Sequence, residues 1–567
     1  MCQLCDAGFR QNHFGSRRSF LKGAAATGIA AAGGLKLFAP RPAAADAGGL
    51  PNGTGMPGRR YLLRNASVMS MDPAVGDFSK ADVLIEGKKI VAVAPNLQGS
   101  GAAVIDVSGR IVMPGFIDTH HHQFETAMRG WLADGVLIGD NSGSPSGSRT
   151  YYENILLKFS PVYRPQDVYI NELFAGLSQL DDGVTTVHDV SQIHHSPQHS
   201  DAAIQALIDT GRRAAFGYFE GAGQGVVIVP PSPKYAYPQD ATRIIGQWFG
   251  GSGVNLSSNG LVHMIMGGEV YLGNATTQKS WTIGRQLNLQ IGAHILSPFG
   301  IRPILDALAA GHGGGTDNPP GNPGNGNIAI GPDNLFIHMT GMSDAGWQGV
   351  KNAGAQVSIA FPIEMNMRHG MPPILKMKSL GMEPSLSVDV ECTMTADFFT
   401  QMRVAMNMER ELANQMILNQ SGNSLDLEQT NNWGLPPSAA ANPWPTPSAN
   451  QPALLTTRDV LRYATMNGAK ALRLDGKVGS LTPGKEADII VLDATALNVA
   501  PLNHVPGAVV SLMDRTNVET VIVAGKVRKW KGQLLDVNLD KLRSQLEASR
   551  DFIFNAAGIP QDLFAPF

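Results

Sequence analysis

Two histidines spaced one residue apart, at the end of an apolar run, are the side chains in this sequence best placed to do chemistry. They lie in Pro114-Gly115-Phe116-Ile117-Asp118-Thr119-His120-His121-His122, and Ile111-Val112-Met113 leads into that segment as a buried strand would. Side chains alternate across a strand, so His120 and His122 share one face while His121 takes the other. Two imidazoles converging from one strand can grip a single divalent cation. The chain has only 14 histidines in 567 residues, which makes a chance triplet at a strand end a poor explanation.

Other polar residues close apolar runs in the same manner. His294 ends Ile291-Gly292-Ala293, His338 ends Phe336-Ile337, and Asp389 ends Ser387-Val388. His188 and Asp189 follow Val184-Thr185-Thr186-Val187, with His194 and His195 just beyond, where they could contact substrate. Glu364 follows Gln356-Val357-Ser358-Ile359-Ala360. For residues so far apart to meet, their strands must run parallel and open at one end. Further strand candidates are Arg213–Phe216, Val262–Met266, Leu289–Ala293, Leu335–Ile337 and Leu386–Val388, and helical patterns such as Ser200–Arg212 and Ser343–Ala353 intervene. Eight β units in alternation predict an α/β fold, a (β/α)8 TIM barrel, whose strand ends share one mouth.

The flanks have a different rhythm. Short β runs fill Arg60–Met113, with Glu86-Gly87-Lys88-Lys89 as a hairpin turn, and recur at Asp488–Leu492 and Val521–Val527. Neither piece can bury its own face, so the two predict one small β-sandwich built from both ends of the chain. The expected organisation is a signal at 1–45, the first part of the sandwich at 46–113, the barrel at 114–475, the second part at 476–535, and a C-terminal extension at 536–567 with an amphipathic helix over Asn538–Phe554.

The signal reading rests on Ser16-Arg17-Arg18-Ser19-Phe20-Leu21-Lys22, a twin-arginine (Tat) pattern, followed by a short Gly/Ala-rich apolar stretch and Ala43-Ala44-Ala45 as a cleavage site. It predicts a periplasmic or secreted protein with no stable membrane insertion after the signal is removed. Cys2 and Cys5 precede the cleavage point, which leaves Cys392 alone in the mature chain and no intrachain disulfide. A formal net charge of −3 and aromatic content of 7% give no nucleic-acid footprint. The expected partner is a small-molecule substrate, with homo-oligomer formation left open. Segments 141–149, 311–327 and 419–452 are Gly-, Ser-, Pro- or Asn-rich and read as long barrel loops.

The PGFIDTHHH segment, Gly183-Val184-Thr185-Thr186, Met466-Asn467-Gly468-Ala469-Lys470-Ala471-Leu472, the run Gly479–Asp488 and the run Asn517–Lys526 resemble the amidohydrolase superfamily. The likeness is strongest to the branch holding cytosine and guanine deaminases and triazine hydrolases. That resemblance implies that His120, His122, His294 and Asp389 bind one divalent metal ion, with His338 beside the activated water. It casts Asp389 and His338 as the catalytic residues. Zinc suits three imidazoles and a carboxylate, and iron(II) also satisfies that ligand set. Binuclear members carry a carboxylated lysine after the fourth strand. Here Gly267-Gly268-Glu269 follows it, with no lysine between Lys234 and Lys279, so a single ion is expected and Glu269 as a bridging carboxylate is the minor alternative.

One departure bears on the reaction. Deaminases of this branch carry a glutamate three residues after the fifth-strand histidine, whereas this chain reads His294-Ile295-Leu296-Ser297. The expectation is therefore an exported hydrolase of a non-peptide C–N bond, an amide or cyclic amide. Deamination of a nitrogen heterocycle, with Glu364 replacing the missing acid, is the alternative. A catalytically silent metal- or ligand-binding barrel is the alternative from another class.

Overall fold

The computed structural model describes residues 49–139, 149–220, 237–270, 274–296, 329–420 and 453–564, together with 305 and 309. The twin-arginine segment, Cys2, Cys5, the 311–327 loop and nearly all of the 141–149 and 419–452 loops lie outside them.

In the N-terminal part, β1 (Arg60–Met69) pairs antiparallel with β2 (Asp77–Glu86), which turns through Gly87-Lys88 into β3 (Lys89–Ala94). Gly87 takes φ of +55°, a value that the tight turn requires and that glycine adopts without a Cβ penalty. Strands β4 (Ala103–Asp106) and β5 (Arg110–Pro114) each run parallel to a different half of β1, with a break in its register around Asn65, where φ is +69°.

Eight parallel strands follow: β6 (Phe116–His121), β7 (Val184–Ser191), β8 (Arg213–Tyr218), β9 (Val262–Gly267), β10 (Gln290–Ile295), β11 (Asn334–His338), β12 (Gln356–Ile359) and β13 (Ser385–Leu386). Neighbours in that order are hydrogen-bonded. The sheet closes at Asp389, whose N–H donates to the His120 carbonyl at 2.9 Å and whose carbonyl accepts from His122 N–H at 2.8 Å. This is a (β/α)8 barrel. Helix ends are set locally: helix Pro197–Thr210 stops at Gly211 with φ of +67°, and Ser343 caps helix Asp344–Ala353 by accepting from Gly346 N–H.

The chain then returns to the first sheet through β14 (Ile489–Asp493), β15 (Val518–Val523), β16 (Lys526–Trp530) and β17 (Gln533–Leu534). Strand β14 lies antiparallel to β5, which joins both ends of the chain in one nine-stranded sheet. The sheet curls until β3 meets the segment before β14: Ile90 N–H donates to Lys485 O at 3.0 Å, and Ala487 N–H donates to Lys88 O at 2.8 Å. The β-rich part is thus a single continuous sheet curled around a shared core that includes Tyr61, Val83, Ile105, Ile489 and Ile522. At the barrel's far end from the strand termini, Arg213 is 1% exposed and ion-paired to Asp488 at 3.0 Å and Glu486 at 2.8 Å, tying β8 to the sheet.

The C-terminal helix spans Leu539–Ala556 and is held down. Its Phe554 ring packs 4.8 Å from Phe159, and Ser549 Oγ donates to Asp167 Oδ1 at 2.8 Å. Among the described residues, no helix is long and apolar enough to cross a membrane.

Candidate active site

Strand period and barrel closure bring His120, His122, His294, His338 and Asp389 together at the C-terminal mouth. His120 Nε2 lies 2.9 Å from Asp389 Oδ1, and His122 Nε2 lies 3.7 Å from the same oxygen. The ring of His294 sits 4.8 Å from that of His120, and the ring of His338 sits 5.5 Å from it. Asp389 has φ of +70° and His338 has φ of +69°, unusual for residues with a Cβ, so the backbone is bent where it presents these two side chains. His121 faces away from this group and lies 3.7 Å from Asp118.

Three of these four histidines are aimed by a partner on the other nitrogen, whereas His120 Nδ1 is buried with none. His122 Nδ1 lies 3.1 Å from the Val190 carbonyl. His294 Nδ1 lies 2.5 Å from Glu269 Oε1, and Glu269 Oε2 also accepts from His294 N–H at 2.9 Å. His338 Nδ1 lies 3.0 Å from Glu364 Oε1, which in turn accepts from Ala360 N–H. A carboxylate behind an imidazole is the usual outer support of a metal-ligating histidine. Glu269 therefore stands behind His294, rather than acting as the bridging carboxylate considered as a minor alternative. Asp118 braces the first strand: its Oδ1 accepts from His120 N–H and Val388 N–H, and its Oδ2 accepts from Gln179.

Burial sets the charge state. It holds His120 and His122 well below the ordinary histidine range and lowers His338 to about 4. For His294, burial acts in the same direction but the Glu269 carboxylate outweighs it, so its pKa is raised. Burial pushes Glu364 well above the ordinary carboxyl range. Imidazoles gathered around one central carboxylate form a donor set that fits a divalent cation. Two groups with ligand atoms within 4.8 Å of one another, His120–His122–Asp389 and His120–His294–His338, share His120.

A cavity opens onto this group. Leu137, Leu156, Leu296, Met367 and Val390 make its apolar walls, and Gln192, Tyr151 and His369 add polar groups. His188, His194 and Glu364, expected from the sequence as substrate contacts, are not among the described lining residues. His188 is buried with Nδ1 2.9 Å from Thr119 O. His194 has both ring nitrogens satisfied, by Ser200 Oγ and Ser191 O, and serves the loop's own structure. Glu364 reaches the site through His338. His369 was not foreseen: it follows a short helix, Phe361–Asn366, where no strand periodicity marks it.

A barrel with a histidine-rich, carboxylate-centred mouth defines a metal-dependent hydrolase. The amidohydrolase family profile matches residues 111–528, and the chain belongs to that family. It is a hydrolase acting on carbon–nitrogen bonds other than peptide bonds. It is similar to a 5'-deoxyadenosine deaminase of Methanosarcina acetivorans, 26% identical over 487 residues, covering 85% of this chain and 95% of that one. Among solved structures, an adenosine deaminase from Xanthomonas campestris with bound zinc shares the fold with a TM-score of 0.67 and 18% identity, over 88% of this chain and 99% of that one. An atrazine chlorohydrolase from Arthrobacter aurescens complexed with zinc does so with a TM-score of 0.66 and 19% identity, over 86% and 100%.

Proposed function

We propose that this protein hydrolyses an amide or cyclic amide C–N bond of a small, uncharged molecule. His120, His122, His294 and Asp389 would hold one divalent ion, zinc or iron(II). Such an ion, when bound, acts as a Lewis acid and brings the pKa of water toward ~7. Asp389 Oδ2, which has no hydrogen-bond partner, takes the proton from the attacking water and delivers it to the departing nitrogen. His338, locked by Glu364, faces the same oxygen at 3.6 Å and polarises the carbonyl under attack. Water adds to the carbonyl carbon, the C–N bond breaks, and the amine leaves with the proton. The apolar walls exclude bulk water and select against charged substrates.

The observation that carries amide hydrolysis is the cavity wall. Among its described residues Asp389 is the one carboxylate, and position 297, where deaminases of this branch carry glutamate, is Ser297. Among the described lining residues a ring nitrogen would find no acid besides Asp389 to protonate it. Heterocycle deamination stands as the second reading, supported by the deaminase names of the relatives. A panel of amides, cyclic amides, ureas and amino-heterocycles separates them: amide opening yields a carboxylate and an amine, whereas deamination releases ammonia with the ring intact. Binding of panel members to the metal-loaded protein with no turnover of any would favour the silent-barrel alternative. Export to the periplasm is part of the proposal and rests on the Arg17-Arg18 segment. Cell fractionation of the full chain against Arg17→Lys/Arg18→Lys tests it.

A further inference from the structure

Asp389 presents its two carboxylate oxygens to two different pairs of imidazoles. Oδ1 faces His120 at 2.9 Å and His122 at 3.7 Å. Oδ2 faces His338 Nε2 at 3.6 Å and His369 Nδ1 at 3.8 Å. The first pair belongs to the ion site already described. In the second pair His338 serves the proposed reaction but His369 has no assigned task, yet it is 4% exposed with neither ring nitrogen hydrogen-bonded, and Oδ2 is likewise unpaired. Buried polar atoms left unpaired cost free energy, and several of them converging on one point indicate a missing partner.

The spacing suits a cation. Ligands about 2.1 Å from a tetrahedral ion stand about 3.4 Å from one another. The separations of 3.6 and 3.8 Å to Oδ2 are near that value, and the ligand atoms of His338, His369 and Asp389 all lie within 4.8 Å of one another. Both imidazoles are also rigidly placed. Glu364 holds His338 from its Nδ1 side. The His369 carbonyl accepts from Thr340 Oγ1 at 2.5 Å, at the end of β11. Gly370 follows with φ of +116°, and a Cβ there would come within 2.9 Å of Thr340 Cβ. The chain is thus pinned against the barrel mouth with the His369 ring turned into the cavity.

We propose that His338, His369 and Asp389 Oδ2 form a second divalent-cation site beside the first, with its open position toward the cavity. It does not use the lysine route of binuclear relatives, since no lysine follows β9 before Lys279. Its occupation engages Oδ2 and His338, the two groups that the proposed reaction needs free, so an ion here silences the enzyme. That consequence rests on the reaction proposed above, whereas the site itself does not.

The probe is the metal alone. Chelator-stripped wild-type protein is titrated with Co(II), read by its visible absorption, and with Zn(II), read by metal analysis after gel filtration. Two equivalents per chain are expected, the second weaker. His369→Ala and His369→Asn, each with its fold checked by circular dichroism, should stop at one. Asn serves where Ala fails to fold. A single equivalent in the wild type, or two persisting in a folded His369 variant, overturns the site. With a substrate in hand, excess Zn(II) should inhibit the wild type at least tenfold more strongly than His369→Asn. Two equivalents without that inhibition would refute the silencing and leave the site standing, and a one-ion enzyme that turns over would refute the site and leave the proposed function standing.

Discussion

Replacing Glu269 with glutamine tests whether the carboxylate behind His294 tunes the metal centre. Glu269 is fully buried and holds His294 at two points, its ring Nδ1 at 2.5 Å and its backbone N–H at 2.9 Å. Glutamine keeps the size but removes the charge, and it turns one accepting oxygen into an NH2 group that faces a donor. The ring then loses a charge-assisted hydrogen bond, worth about 1.5–3 kcal/mol. Loss of such supports typically weakens metal binding by about 10–100-fold, or about 1.4–2.8 kcal/mol, so the two routes to the magnitude agree. The assay is competition for Zn(II) against a chromophoric chelator at fixed pH, with the fold checked by circular dichroism. Glu364→Ala is the contrast: it removes the oxygen that holds His338 Nδ1, and His338 is outside the first ion's ligand set, so it should cut turnover while leaving the first ion's affinity unchanged. A folded Glu269→Gln variant that binds zinc as tightly as wild type would refute the reasoning.

Two other outcomes follow from buried charge. Burial pushes Glu125 up to about 8 from the ordinary 4.5, so the folded protein keeps a proton that the unfolded chain sheds, and stability drains as pH rises through that window, by up to ~1.4 kcal/mol per pH unit. Glu125→Gln carries no such proton and can still accept from Tyr151 Oη. Its stability relative to wild type should therefore climb from pH 4.5 to 8 and level off above, as read by urea denaturation; a pH-independent difference would count against the burial argument. Arg213→Ala strands Asp488 and Glu486 beneath the barrel and should cost about 3–5 kcal/mol in denaturation free energy. Turnover per folded molecule should be unchanged, because Arg213 opens β8 at the end opposite the mouth.

The residues at the mouth were legible where strand period speaks. His120 and His122 share a face because side chains alternate, and His294 and His338 close apolar runs that became β10 and β11. Asp389 was found by the same rule although β13 is only Ser385–Leu386. The carboxylate instead sits just beyond the strand, where backbone bonds to β6 close the barrel. His369 carried no such mark, because a loop's direction is set by contacts such as Thr340 with its carbonyl, and these are remote in sequence. His194 misled for the converse reason: a histidine after a strand end invites a substrate role, but Ser191 and Ser200 were near enough to satisfy both its nitrogens. The curl of the flanking sheet was equally hidden, since it depends on backbone bonds between Lys88–Ile90 and Gly484–Ala487, far apart along the chain.

The account stands on one cation held by four side chains at the barrel mouth. Its most direct test is metal analysis of wild type and His122→Ala, each stripped, resupplied with one equivalent of zinc, desalted and assayed on the panel. Wild type should retain the ion and turn over a C–N substrate, while His122→Ala should keep its fold, hold zinc only at the weaker neighbouring site and lose the rate. A His122→Ala protein with the same metal content and the same rate would contradict it.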